Sequence, residues 1–201
     1  MRKIIAGLFQ SIDGVVQAPG SANEDTSGGF DNGGWVMPHF DETVGGFMHE
    51  VFSQPFDLLL GRRTYDIFAA HWPRVKDDPM ADAINAATKF VVTHQSGPFD
   101  WQNTRHLSGL DQIPEVKKSD GPDLLIQGSS TLYPGLVERD LIDRLFLITF
   151  PIVMGSGKRA FDGAAPKGLR LVEHRVSGSG VMIGVYELAG ELPRLDVPSP
   201  S

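Results

Sequence analysis

The chain has 201 residues, a formal net charge of −7, 41% hydrophobic residues and 21% charged residues. These values fit one globular domain with a sizeable core, and the acidic balance argues against nonspecific binding to nucleic acid or anionic membrane. Cysteine is absent, which excludes disulfides, thiolate metal sites and cysteine nucleophiles.

Met1-Arg2-Lys3 leads into an apolar run that Gln10, Ser11 and Asp13 interrupt. That run is too short for the apolar core and cleavage site of a signal peptide, or for a membrane span, so a cytoplasmic protein is expected. Lys3 to Gln10 reads as an interior strand, followed by a loop from Ser11 to Gly20. Ser21 to Gly34 is rich in Gly, Asn, Asp and Ser; connections of this length in compact domains are often lids or mobile segments. Trp35 to Ser53 contains a helix, with Phe40, Val44, Phe47, Met48 and Val51 at helical spacing.

Asp57-Leu58-Leu59-Leu60-Gly61-Arg62-Arg63-Thr64-Tyr65 is the first of two related junctions. A short, wholly apolar run is a strand buried on both faces. It stops at a glycine and opens a helix, whose first backbone N–H groups and dipole attract anions. Two guanidiniums beside them suit phosphate oxygens. Taken alone, the junction reads more readily as a plain strand-to-helix connection with surface arginines. A short helix over Pro79–Thr88, a strand over Lys89–Thr93, a short strand within Trp101–Leu107 and a short helix over Leu110–Val116 come next.

Asp123-Leu124-Leu125-Ile126-Gln127-Gly128-Ser129-Ser130-Thr131-Leu132 repeats the design. Ser129 or Ser130 is placed to cap the following helix, with Pro134 in its first turn. Two glycine-ended junctions side by side in a sheet would form a dinucleotide cleft. Asp143 to Val153 is a further strand, limited by Pro151. Leu169–Val176 and Val181–Leu188 alternate as a hairpin about Ser177-Gly178-Ser179-Gly180. Residues 1–189 therefore read as one domain, and 190–201, with three prolines, as a flexible tail. The expected fold class is α/β: a mixed, mainly parallel sheet flanked by helices on both faces, with a C-terminal antiparallel hairpin.

Gly155-Ser156-Gly157-Lys158-Arg159-Ala160 fits the G-x-G-x-x-A fingerprint, but Asp162-Gly163-Ala164-Ala165-Pro166 follows where a helix is needed. It is also not a P-loop, because Ile152 stands at the first glycine position and Arg159 replaces Ser or Thr. The six histidines form no H-x-x-x-H pair, so no metal site is expected.

The Gly61-Arg62-Arg63-Thr64-Tyr65 turn, the Lys89–Thr93 strand and the Gly128–Leu132 turn occur in an order that resembles the dihydrofolate reductase-like superfamily. Ser11-Ile12-Asp13-Gly14-Val15-Val16 and Phe150-Pro151-Ile152-Val153-Met154-Gly155-Ser156-Gly157 are similar to patterns in its branch related to the reductase domain of bacterial riboflavin-biosynthesis deaminase–reductases. The resemblance spans about residues 2–188 and implies NADPH as cofactor. On it, Gly61, Arg62, Arg63 and Thr64 would hold the pyrophosphate and the 2′-phosphate, and Thr93 and His94 would lie near the adenosine end. Gln127, Gly128, Ser129, Ser130, Thr131 and Leu132 would line the pyrophosphate and nicotinamide side, and the Ile12–Val16 loop, ending at Val16, would cover the nicotinamide.

The resemblance further implies hydride transfer to a small heterocyclic, imine or carbonyl substrate, as in a 5-amino-6-(5-phosphoribosylamino)uracil reductase, and a homodimer built through Leu145–Val153 and the C-terminal hairpin. Dihydrofolate or pteridine reduction is an alternative, although Val44-Gly45-Gly46 carries no acid at the position where dihydrofolate reductases anchor the pterin. A noncatalytic nucleotide-binding module on the same fold is another. Asp41 and Tyr65 are the candidate proton donors, with Glu42 and His39 beside them. Asp13, Trp35, Phe40 and Trp72 are candidates for the substrate side. The partner expected is a small molecule, not nucleic acid or membrane.

Overall fold

A computed structural model of the chain describes residues 1–192; most of the expected tail, 193–201, lies outside the described residues. The strands are β1 (Ile4–Ser11), β2 (Phe56–Gly61), β3 (Lys89–Val92), β4 (Thr104–Leu107), β5 (Asp123–Gln127), β6 (Arg144–Phe150), β7 (Leu169–Val176) and β8 (Met182–Leu188). They form one sheet in the order β4-β3-β2-β5-β1-β6-β8-β7. The five pairings from β4 across to β6 are parallel, and β6–β8 and β8–β7 are antiparallel. This is the dihydrofolate reductase-like architecture expected from the sequence.

Helices cover both faces because the interior strands are apolar on both. Leu58, Leu60 and Leu125 face α1 (Glu42–Phe52), α2 (Arg62–His71) and α3 (Pro79–Ala86), in a core with Val44, Phe47, Tyr65 and Ile84. Leu59, Leu124, Ile126 and Leu8 face α4 (Ile113–Lys118) and α5 (Tyr133–Glu138), in a second core with Ile113, Tyr133 and Leu136. Successive strand residues thus alternate between the two cores. Among the described residues no helix is long and apolar enough to cross a membrane, and no group of three or more His, Asp or Glu is placed to hold a metal ion.

Two features hold the centre of the sheet. Gly7 lies under Phe146, and a Cβ there would stand 1.9 Å from the ring, so a side chain at 7 would displace the Phe146 ring. The Gly7 carbonyl accepts a 3.0 Å hydrogen bond from the buried Tyr133 hydroxyl. β6 is an interior strand between β1 and β8, so β7 alone carries the exposed edge of the hairpin, with Leu169, Leu171, Val172 and Val176 open to solvent.

Lys89 begins β3 fully buried. Its Nζ donates to the Asn85 carbonyl and lies 4.2 Å from the Trp101 ring centroid. Burial pushes this ammonium down to about 8, with the Asp57 carboxylate pulling weakly the other way. The folded state therefore disfavours the charged form. Below pH 8 the folded and unfolded chains are both protonated and the fold carries the whole penalty, which fades as pH rises from 8 towards 10.5. Urea unfolding of wild type and Lys89→Met should show wild type gaining stability relative to the variant between pH 8 and 10; a difference that stays constant with pH would contradict this assignment.

Candidate functional site

The C-terminal ends of β2, β5 and β1 open onto a cleft of about 490 Å³, where open parallel sheets bind ligands. The two glycine junctions form its floor and are cross-linked. The Gly61 amide donates to Ser129 Oγ at 3.0 Å, and the Ser129 amide donates to Thr64 Oγ1 at 3.0 Å. Ser129 sits in the left-handed region at φ 52° beside Gly128 at φ 69°, which turns its hydroxyl towards β2. Ser129 therefore does not cap its own helix, as its sequence position predicts, but satisfies the first amide of the neighbouring junction. The amides of Arg62 and Arg63 that follow have no acceptor within their own helix.

The two arginines diverge. Arg63 lines the cleft, whereas Arg62 turns away, pairs with Asp66 one helical turn on and lies 5.2 Å from the Phe99 ring centroid. Gly61, Thr64, Val16, Gln127, Gly128, Ser129, Ser130 and Thr131 all line the cleft, and Leu132 is buried beneath it, close to Gly61. Among the described residues, Gln127 Oε1 is buried without a hydrogen-bond partner, which leaves its desolvation without an offsetting bond from them. Thr93 and His94 are not brought to the cleft. The Thr93 amide bonds the Leu107 carbonyl, and its own carbonyl accepts from the His106 ring, so Thr93 is committed to the β3–β4 edge.

One half of the cleft is apolar. Met48 and Phe52 of α1, Phe40 before it, Ile67 and Phe68 of α2, Trp72 and Met80 form the wall. Of the substrate-side candidates, Phe40 and Trp72 line the cleft. Trp35 does not: it is buried, donates its indole N–H to the Gln17 carbonyl at 2.8 Å and packs edge-on against Phe150. Asp13 braces backbone instead of lining the cleft, accepting from Ser11 Oγ and from the Met154 and Gly155 amides. Those bonds, the Ser11 hydroxyl first, hold its carboxyl down at about 2.

The two expected proton donors also stand elsewhere. Asp41 is the N-cap of α1, accepting from the Thr43 and Val44 amides at 3.1 Å and from the Ser179 amide of the β7–β8 turn. These amides, Val44 foremost, hold it ionised with a pKa of about 2. Tyr65 is buried and accepts from the Trp101 amide. No acid of α1 reaches the apolar wall; the helix presents Met48 and Phe52 there.

The titratable side chains that do line the cleft are Glu24, Asp25, Arg63, His71 and Lys158. Glu24 accepts from the Gly20 and Ser21 amides, and burial raises its pKa. Asp25 binds Arg63 through Oδ1 and Lys158 through Oδ2, at 2.5 and 2.7 Å. Burial raises its pKa, but the hydrogen bonds from Lys158 and Ser27 and the Lys158 charge outweigh that and leave it lowered. Gln17 joins the set, its Nε2 donating to the Asp25 and Ser27 carbonyls and its Oε1 accepting from the Lys158 amide. Of Gln17, Glu24, Asp25, His71 and Lys158, only Lys158 falls within a sequence pattern, as a variable position of Gly155–Ala160.

The cleft thus joins an anion-attracting floor, a pair of cations and an apolar aromatic wall. Residues 2–183 match the family described as the RibD C-terminal domain. The uncharacterized protein YyaP of Bacillus subtilis (strain 168) is 24% identical over 196 residues, covering 94% of this chain and 96% of that protein. Among solved structures, the diaminohydroxyphosphoribosylaminopyrimidine deaminase/5-amino-6-(5-phosphoribosylamino)uracil reductase of Thermotoga maritima aligns with a TM-score of 0.63 at 13% identity, over 94% of this chain and 57% of that one. Dihydrofolate reductase of Enterococcus faecalis, complexed with NADP(H), aligns with a TM-score of 0.59 at 16% identity, over 93% and 96%. At these identities the two structures share the fold.

The cross-link between the junctions has a direct test. Thr64→Val keeps the side-chain shape but leaves the Ser129 amide unpaired, which should cost about 1–3 kcal/mol. Thr64→Ser should restore most of it. Denaturant midpoints check this, and a loss under about 0.5 kcal/mol, the size of an ordinary surface change, would contradict it.

Proposed function

From the membership of this chain in the RibD C-terminal domain family, we propose that it is an NADPH-dependent reductase acting on a small heterocyclic compound with a reducible imine or carbonyl group. The observation that carries this reading is the pair of cross-linked glycine junctions at the C-terminal ends of β2 and β5, facing an apolar aromatic wall across one cleft. The donor set fits a nicotinamide dinucleotide. Arg63 and the first-turn amides of α2 would hold phosphate, and Gln127 lines the cleft beside the second junction. Val16 would cover the ring, since its loop is pinned by the Val16 amide to the Lys158 carbonyl.

When bound, the cofactor supplies the hydride. The chain's part is to position and to exclude water. Phe40, Phe68 and Trp72 offer flat apolar surface to a ring substrate. Of the lining side chains of a type that donates protons to a reduced product, Glu24 and His71 are the two outside the Arg63–Asp25–Lys158 cluster. The wall carries no carboxylate to anchor a pterin, which favours the ribosylaminopyrimidine chemistry named for the Thermotoga maritima protein over dihydrofolate reduction.

Titration with NADPH should quench Trp72 fluorescence and raise the melting temperature by on the order of 5 °C at saturation. NADPH oxidation should then follow with a member of a panel of imines, pterins and carbonyls. No thermal shift at millimolar NADPH would overturn the cofactor reading. Binding without turnover across the panel would favour a noncatalytic module.

We further propose a homodimer formed through β7, whose edge exposes Leu169, Leu171, Val172 and Val176. Long exposed apolar edges are pairing surfaces in solution. Light scattering should give twice the 21.9 kDa chain mass; a monomer mass at micromolar concentration would refute it.

A further inference from the structure

The Gly155–Ala160 pattern, which lacks the helix of a nucleotide fingerprint, nonetheless brings Lys158 to the cleft. Gly157 has φ +130°, and a Cβ there would stand 2.5 Å from Val15 Cγ1 and 3.1 Å from the Phe30 ring. The pattern therefore packs directly on the first loop and on the long 21–34 segment. Lys158 is held at both backbone ends: its amide donates to Gln17 Oε1 at 3.1 Å, and its carbonyl accepts from the Val16 amide at 2.8 Å. Its ammonium is thereby aimed at the cleft, where it meets Asp25 opposite Arg63.

Three residues from distant parts of the chain thus converge on one point. Two cations share a single carboxylate, while Glu24, the other acid of the cleft, is held by the Gly20 and Ser21 amides instead. A phosphoryl group presents oxygens in a similar fork and brings up to about two negative charges, so it satisfies two cations better than one carboxylate does. Asp25 has other partners ready, because its Oδ1 also accepts from the Ser27 amide at 3.0 Å and the Ser27 hydroxyl at 2.6 Å. Its carboxylate keeps these bonds if it leaves the cations.

We propose that Arg63 and Lys158 form a seat for a phosphoryl group of a ligand, and that the Asp25 carboxylate is an internal stand-in which the ligand displaces. The seat deepens the cofactor reading of the same cleft and rests on it, but its test does not require that reading to hold. A phosphoryl group can reach the seat from the cofactor or from a phosphorylated substrate.

The experiment compares wild type, Asp25→Asn, Lys158→Met and Lys158→Arg by calorimetry, using inorganic phosphate, ribose 5-phosphate, NADPH and NADH as probes. Asp25→Asn removes the competing charge and should bind inorganic phosphate on the order of tenfold more tightly; Lys158→Met should bind it on the order of tenfold more weakly, and Lys158→Arg should recover most of the loss. If Lys158→Met weakens the dinucleotides, the phosphoryl group is the cofactor's. If it weakens ribose 5-phosphate and spares both dinucleotides, it is the substrate's. The proposal is overturned if Lys158→Met leaves every probe unchanged, or if a folded Asp25→Asn binds phosphate no more tightly than wild type. Should Asp25→Asn fail to fold, the Lys158 pair decides alone. Wild type that ignores NADPH while the phosphate results hold would remove the cofactor reading and keep the seat; NADPH binding unaffected by any variant, with phosphate also unaffected, would do the reverse.

Discussion

The reciprocal hydrogen bonds between the two glycine junctions are the constraint on which the cleft depends. Each junction ends a strand at the same side of the sheet, and each would otherwise leave amides unpaired where a helix begins. Ser129 Oγ takes the Gly61 amide and Thr64 Oγ1 takes the Ser129 amide. The exchange fixes the spacing of β2–α2 and β5–α5 to within hydrogen-bond tolerance, and it consumes those donors. What remains for a ligand is the next pair of amides, at Arg62 and Arg63, together with the Arg63 guanidinium. A left-handed Ser129 is the conformational cost, and glycine at 128 adopts the neighbouring φ of 69°.

The rest of the cleft is assembled around that floor by loops. Asp13, Gln17 and Gly157 tie the first loop to the β6–β7 connection, and the tie carries Lys158 into position. The 21–34 segment is then held over the cleft by Asp25, and Trp35 anchors its far end to the Gln17 carbonyl. Polar contacts gather over the β1, β5 and β6 ends, while α1 and α2 contribute apolar side chains apart from Arg63, Thr64 and His71. The cleft is thus divided between a charged half and an aromatic half.

The strand runs, the helix stripes and the parallel-then-antiparallel order were readable because all three follow from local periodicity, as Leu58-Leu59-Leu60 and the 169–188 alternation show. The floor residues Gly61, Thr64 and Gln127–Thr131 were readable for the same reason, since strand-to-helix punctuation marks them. Side-chain direction was not. Adjacent helical residues project about a hundred degrees apart, so Arg62 leaves the cleft and Arg63 enters it, and no pattern distinguishes them. Asp41 carries the residue type of a donor but occupies a capping position, and a cap is recognised only once the helix start is known. Asp25 and Lys158 meet through a contact spanning 133 residues, which a single sequence does not encode in any local signal.

The central claim is that the cross-linked junctions and the loops above them form one nicotinamide-dinucleotide cleft. Hydrogen–deuterium exchange with and without saturating NADPH tests it most directly. The account predicts protection concentrated in 12–18, 61–65 and 127–132, with the β7–β8 hairpin unchanged. Protection that is absent from all three segments, or that appears only outside them, would contradict it.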